Sequence, residues 1–193
     1  MKIAVYGAAS SLIDNSYKQA GIELGQKMAQ RNIGLVFGGG ANGMMGATAQ
    51  GVYEKGGYLL GVVPSFFKEA NPEISFEHCS EYFYTETMRE RKRLMEENSD
   101  AFIIAPGGIG TFDEFFEILT LKQLGRHNKA IALYNINGFY DELEKMMTKY
   151  IDEQFITSDC KELYSVFTNA DEMLDYIENY DPKEIDLSKV KIR

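Results

Sequence analysis

Pro106-Gly107-Gly108-Ile109-Gly110-Thr111 sets three glycines and a hydroxyl directly after a short apolar run, 101–105, and ahead of a long periodic stretch. A strand that turns through glycines into a helix leaves unbonded N–H groups and about half a positive charge at the helix start, and the missing side chains let an anion approach closely. Phosphate is the natural ligand of such a turn, with the Thr111 hydroxyl as a further donor. The alternative is purely local: Thr111 N-caps the helix and the glycines only make the turn. Further along, Phe112, Phe115, Phe116 and Leu119 fall at i, i+3, i+4, i+7 and mark an apolar face. Glu114 shares a stripe with Ile118 and Leu121, so its carboxylate is either buried at a desolvation cost or faces a cleft in which it acts. Asp113 and Glu117 have a simpler account, as acidic residues near a helix start.

The run Met88-Arg89-Glu90-Arg91-Lys92-Arg93-Leu94-Met95 reads at first as a solvated helix face. Periodicity divides it. Met88, Arg91, Lys92 and Met95 share one stripe, whereas Arg89, Arg93, Glu96 and Glu97 lie largely elsewhere. Arg91 and Lys92 are thus the cations directed inward, toward an anionic ligand or into an ion pair with Glu114. A second turn, Gly38-Gly39-Gly40-Ala41-Asn42-Gly43, has the form GxGxxG between a strand and a helix. It follows the second strand, lacks an acidic residue about 20 positions on, and carries no Lys-Ser or Lys-Thr, so neither a dinucleotide site nor a P-loop is supported.

These residues need a scaffold, and the chain supplies one. Apolar runs at 3–6, 35–37, 58–63, 102–105 and 131–134 alternate with helical periodicity at 16–31, 43–55, 87–98, 111–124, 139–153 and 170–180. Such alternation implies βαβ crossovers, hence an α/β fold: a Rossmann-like, doubly wound, mostly parallel sheet with helices on both faces. One nucleotide-binding catalytic domain is expected over residues 1–180, with a C-terminal tail at 181–193. Residues 64–80 contain Pro, Asn, Ser and charges without clear periodicity, and read as a long loop near the ligand.

The chain has 193 residues, 45% of them hydrophobic, and a net charge of −9, which disfavours nucleic acid as a partner. Cys79 and Cys160 stand far apart with no CxxC, so no metal site or disulfide framework is expected. No apolar run approaches the ~20 residues of a membrane span, and a cytoplasmic location is expected.

Pro106 to Glu114 has the form PGGxGTxxE, Met88 to Lys92 has the form MxxRK, and Gly38 to Gly46 is similar to a GGGxxGLMG turn. Together these motifs resemble the LOG family of cytokinin-activating nucleoside 5′-monophosphate phosphoribohydrolases, across residues 2–150. The resemblance implies that Arg91 and Glu114 are catalytic. It implies that Lys92 and the turn Gly107, Gly108, Ile109, Gly110 and Thr111 hold the phosphoribosyl group, with Gly39, Gly40, Asp113, Thr120 and Glu73 among the substrate contacts. It also implies a homodimer with composite active sites and no cofactor. The family's decarboxylase label has little chemical support here, because no lysine motif for pyridoxal phosphate is evident. Tyr6-Gly7-Ala8-Ala9-Ser10-Ser11 departs from the family's CGSSxG-like wording, which bears on base recognition.

Cleaving an N-glycosidic bond builds positive charge on the ribose and negative charge on the departing base, so a carboxylate and a cation are the expected pair. Glu114 and Arg91 supply them, with Glu114 as electrostatic stabiliser, nucleophile or base. The rival reading is a non-catalytic nucleotide- or molybdenum-cofactor-binding carrier on the same fold. The pairing of a carboxylate with Arg91 favours the enzyme, since a pure anion binder gains nothing from it.

Overall fold

In the computed structural model, residues 1–70 and 75–182 are described. The sheet order is β4-β3-β2-β1-β5-β6-β7, from β1 (Lys2–Tyr6), β2 (Gly34–Phe37), β3 (Leu59–Pro64), β4 (Glu81–Thr85), β5 (Ala101–Ile104), β6 (Ala130–Tyr134) and β7 (Ser165–Phe167). Every pairing between these strands is parallel, with Ile3 beside Leu35 on one side and Ala101 on the other. The chain builds outward from β1 to β4 and then returns to β5 on β1's other flank. That reversal makes the β1–β5 boundary a topological switch point, where open parallel sheets leave a crevice at the strands' carboxyl ends.

Side chains alternate along each strand, so one strand feeds two cores. Ile3 and Val5 join Leu24, Met28, Met44 and Val52 of α1 (Asn15–Gln30) and α2 (Gly43–Glu54), and Met173 and Leu174 of α7 (Ala170–Glu178). Ala4 and Tyr6 face the other way, toward Met95, Phe115, Ile118, Leu143 and Met147 of α4 (Met88–Glu97), α5 (Ile109–Gln123) and α6 (Asp141–Asp152). Both faces of β1 are covered, which is why its run is apolar throughout. Helices α1 and α2 pack backbone to backbone. A Cβ on Gly25 would lie 2.1 Å from the Thr48 carbonyl oxygen, and one on Gly51 2.1 Å from that of Ile22.

Three elements differ from the sequence expectation. Residues 64–80 are not one long loop: Pro64 ends β3, α3 (Ser65–Ala70) follows, and Ser75 bridges Gly40. A single short helix offers too few turns for a 3.6-residue period to register. Strands β4 and β7 were not anticipated. β4 is an edge strand whose residues are mostly exposed or half-buried, and β7 has only three residues, so neither shows the continuous apolar run of a central strand. The expected contact Glu73 and the tail beyond residue 182 lie outside the described residues. Among the described residues, no helix is long and apolar enough to cross a membrane.

Candidate active site

Three loops meet at the carboxyl ends of the central strands. The loop after β1 is pinned to both glycine turns: Ala8 N donates to Pro106 O at 3.0 Å, and Met45 N donates to Ala8 O at 3.1 Å. Gly39 and Gly43 adopt φ of 74° and 65°, the left-handed region that favours glycine. Between the loops lies a cavity of about 600 Å³. Gly7 to Ser10 line it from β1, Gly38 to Gly40 from β2, and Gly108, Gly110 and Thr111 from the start of α5. Met45, Val63, Phe67 and Met88 add an apolar wall, and Arg91, Asp113 and Glu114 supply the charge.

Helix α5 begins at Ile109, with Gly108 in the N-cap position and no side-chain cap. This revises the local alternative in which Thr111 caps the helix. Thr111 lies inside the first turn, buried, with its hydroxyl over Gly107, where a Cβ would come within 2.1 Å of Oγ1. First-turn N–H groups that no side chain caps are free to meet an anion. Gly108 and Gly110 differ from Gly107. A Cβ on either would meet nothing within 4 Å, and neither has a positive φ, so the fold itself does not call for glycine at these two cavity-lining positions.

Helix α4 starts with a capping box. Glu90 N donates to Thr87 Oγ1 at 3.2 Å, and Thr87 N donates to the Glu90 carboxylate at 3.4 Å. From this fixed start Arg91 turns inward and is only 7% exposed, as is Glu114 at 6%. Arg91 Nη2 lies 3.5 Å from Glu114 Oε1, a loose ion pair. The buried Arg91 Nε meets no hydrogen-bond partner among the described residues. A buried guanidinium left with spare donors beside a cavity is arranged to receive a ligand acceptor.

Burial pushes the Glu114 carboxyl up to about 7, against the lowering pull of Arg91. Beneath it, the buried Tyr6 hydroxyl is raised well above its ordinary range by burial and then by the Glu114 charge. Tyr6 stacks on Phe102 at 6.2 Å within the apolar cluster on that face of the sheet.

Lys92 is placed differently from its neighbour. Its Nζ donates to Asp113 Oδ2 and Oδ1 at 3.0 and 3.2 Å and pairs with Glu117 Oε2. It is not among the cavity-lining residues. Thr120 is exposed on α5 and also lies off the lining, and the Ile109 side chain is 90% exposed. Of the expected contacts, the cavity therefore gathers Gly39, Gly40, Arg91, Gly108, Gly110, Thr111, Asp113 and Glu114. Val63, which also lines it, was missed by sequence reasoning, whereas Phe67 and Ser75 line it from within the 64–80 segment expected near the ligand. Their signal is position, since Val63 is the penultimate residue of β3, at its carboxyl end, and Phe67 and Ser75 follow closely. Among the described residues, no group of three His, Cys, Asp or Glu side chains could hold a metal ion.

This geometry can be set beside known proteins. The family model described as "Possible lysine decarboxylase" matches residues 45–177. Cytokinin riboside 5′-monophosphate phosphoribohydrolase LOG2 of Arabidopsis thaliana is 39% identical over 96% of this chain and 86% of its own. The probable enzyme LOGL6 of Oryza sativa is 36% identical over 94% of this chain and 72% of its own. Among solved structures, the molybdenum cofactor binding protein of Rippkaea orientalis superimposes with a TM-score of 0.70 at 19% identity, over 92% of this chain and 94% of that one. The molybdenum cofactor carrier protein of Chlamydomonas reinhardtii gives 0.70 at 20%, over 92% and 95%. At such low identity these two structures speak for the fold alone, while the sequence relatives carry the family: the chain belongs to the LOG family of cytokinin riboside 5′-monophosphate phosphoribohydrolases.

Proposed function

We propose that this protein hydrolyses the N-glycosidic bond of a nucleoside 5′-monophosphate, AMP or an N6-substituted AMP, to the free base and ribose 5-phosphate. The observation that carries this is the Arg91–Glu114 pair, buried and loosely joined in a cavity that also holds an uncapped helix start. The phosphate sits on the first-turn N–H groups of α5 with the Thr111 hydroxyl, and the base extends toward Met45, Val63, Phe67 and Met88. As the bond from C1′ to the base nitrogen breaks, its electron pair leaves with the base, and Arg91 donates a hydrogen bond to the leaving nitrogen without losing its proton. The base takes a proton from solvent, to which Glu114 later releases the one it accepts. Ionised Glu114 faces the positive charge growing at C1′ and takes a proton from the attacking water, whose hydroxyl completes ribose 5-phosphate. A carboxyl near 7 suits proton transfer at neutral pH.

The working form is a homodimer with composite sites. In its support, Phe66, Phe67, Tyr84 and Met88 are exposed large apolar side chains, and two of them, Phe67 and Met88, line the cavity. Thr120 faces solvent off its own chain's cavity, as a residue serving a second copy's site would.

The test is chromatography of base and ribose 5-phosphate after incubation with AMP and N6-isopentenyl-AMP, for wild type and Glu114→Gln. Release by wild type alone supports the assignment. Nucleotide binding without release by wild type would overturn it in favour of a carrier.

A further inference from the structure

We propose that Gly38 is a positioning residue for the reaction: the absence of a side chain there creates the space in which the Arg91 guanidinium lies beside Glu114. The inference rests on the reading that Arg91 is catalytic. Gly38 directly follows the last residue of β2 and lines the cavity. Its neighbour Gly39 has local reasons to be glycine. Gly39 has φ of 74°, and a Cβ there would also meet Val63 Cγ2 at 2.3 Å. Gly38 has no positive φ, so its backbone conformation does not demand glycine. A Cβ on Gly38 would lie 1.8 Å from Arg91 Nη2, 2.9 Å from Cζ and 3.3 Å from Nε, and these are its three nearest neighbours. The position is shaped to one side chain, and that side chain is Arg91.

Arg91 is weakly held by other means. Its Nε has no hydrogen-bond partner among the described residues, Nη1 has a long contact of 3.8 Å with Met88 Sδ, and Nη2 stands 3.5 Å from Glu114. Steric support from the bare backbone at Gly38 therefore contributes much of what defines the guanidinium's place. Because the overlapped atoms are the far end of a flexible side chain, a methyl at this position displaces Arg91 without breaking the fold. Movement of a reacting group by about 1 Å is enough to cost on the order of 100-fold in rate.

The experiment is a double-mutant cycle, with kcat, KM and melting temperature measured for Gly38→Ala, Arg91→Ala and the double variant. Gly38→Ala is expected to melt within about 3 °C of wild type, as a substitution relieved by moving one side chain should. Its kcat should fall by roughly 10- to 100-fold with KM changed by less than about threefold. In the Arg91→Ala background the same substitution should cost nothing further. With Arg91 present, the acid limb of the Gly38→Ala kcat/KM profile should move to higher pH, because the cation that lowers Glu114 is displaced from it. Full activity of Gly38→Ala, or an equal penalty with and without Arg91, would overturn the role of Gly38 while leaving Arg91's role intact. Full activity of Arg91→Ala would instead overturn the catalytic reading beneath it. Should Gly38→Ala not fold, Gly38→Ala/Arg91→Lys decides: recovery of the fold with the slimmer ammonium upholds the clash with Arg91, and continued unfolding refutes it.

Discussion

The Lys92 ammonium on α4 bonds both oxygens of Asp113 on α5, at 3.0 and 3.2 Å, one residue along each helix from Arg91 and Glu114. The outer pair thus brackets the inner one, joining at the surface the two helices whose buried side chains meet in the cavity. Glu117, one turn further along α5, engages the same ammonium. Lys92 acts on this reading as a clamp between helices, whereas the resemblance alone has it hold the phosphoribosyl group. Lys92→Met should lower kcat about tenfold with little change in KM, and Lys92→Arg should restore most of it. The stability loss should be only about 0.5–1 kcal/mol, because Asp113 is largely solvent-exposed and screened. A dominant rise in KM would return Lys92 to the phosphoribosyl group.

The Glu114 carboxyl, raised by burial to about 7, ties activity and stability to pH in opposite directions. A proton-accepting carboxylate must be ionised, so kcat/KM should climb as pH rises through about 7. Ionising a buried group costs the folded state, and between its ordinary value of 4.5 and about 7 the folded protein holds the proton that the unfolded chain has lost. Stability should therefore fall as pH rises across that window. Glu114→Gln should abolish turnover, on the order of 1000-fold or more, and should gain about 2–3 kcal/mol relative to wild type between pH 4.5 and pH 8. Denaturant melts at the two pH values measure the second effect; a constant difference would show that Glu114 is not raised.

Gly108 and Gly110 have open space where a Cβ would stand, so a methyl there should trouble the ligand and spare the protein. Gly110→Ala, inside the first turn of α5, should raise stability by up to about 1 kcal/mol through helix propensity. Both Gly108→Ala and Gly110→Ala should raise the nucleotide KM by roughly tenfold or more if the phosphate is seated on that backbone. An unchanged KM in both would place the phosphate elsewhere.

The contact between α1 and α2 gives the opposite case. Gly25→Ala and Gly51→Ala each set a methyl about 2 Å from a carbonyl oxygen of the facing helix, which only a shift of backbone can relieve. Each should destabilise by about 1–3 kcal/mol in equilibrium unfolding, with the KM of residual folded enzyme unchanged. A neutral outcome would mean that the two helices slide apart at little cost.

The central strands and the Pro106–Thr111 turn into α5 were legible because their signals are local: a doubly buried parallel strand must be apolar, and a tight strand-to-helix turn is rich in glycine. The stripe holding Arg91 and Met95 was legible because one helical period carries it. The same period put Lys92 beside Arg91 on the inward face, yet one rotation step of about 100° separates adjacent residues, enough to send one to the cavity and the other to Asp113. Strand β4 and the short helix α3 gave too little periodic signal to be read.

By itself the sequence determined the alternation of strands and helices, the two glycine turns and the types of charge available to them, since each is set by neighbours within a few residues. Tertiary structure alone decided which groups meet. Arg91 reaches Glu114 because strand order folds the chain back at β1 and brings α4 against α5, and it stays there because Gly38, 53 positions earlier, leaves the room. The buried Lys122 is a further instance: its ammonium finds the Tyr180 hydroxyl 58 positions away, at 2.9 Å, and burial holds it down at about 8. Burial and distance are properties of packed surfaces, and no spacing along one chain encodes them without the fold that closes it.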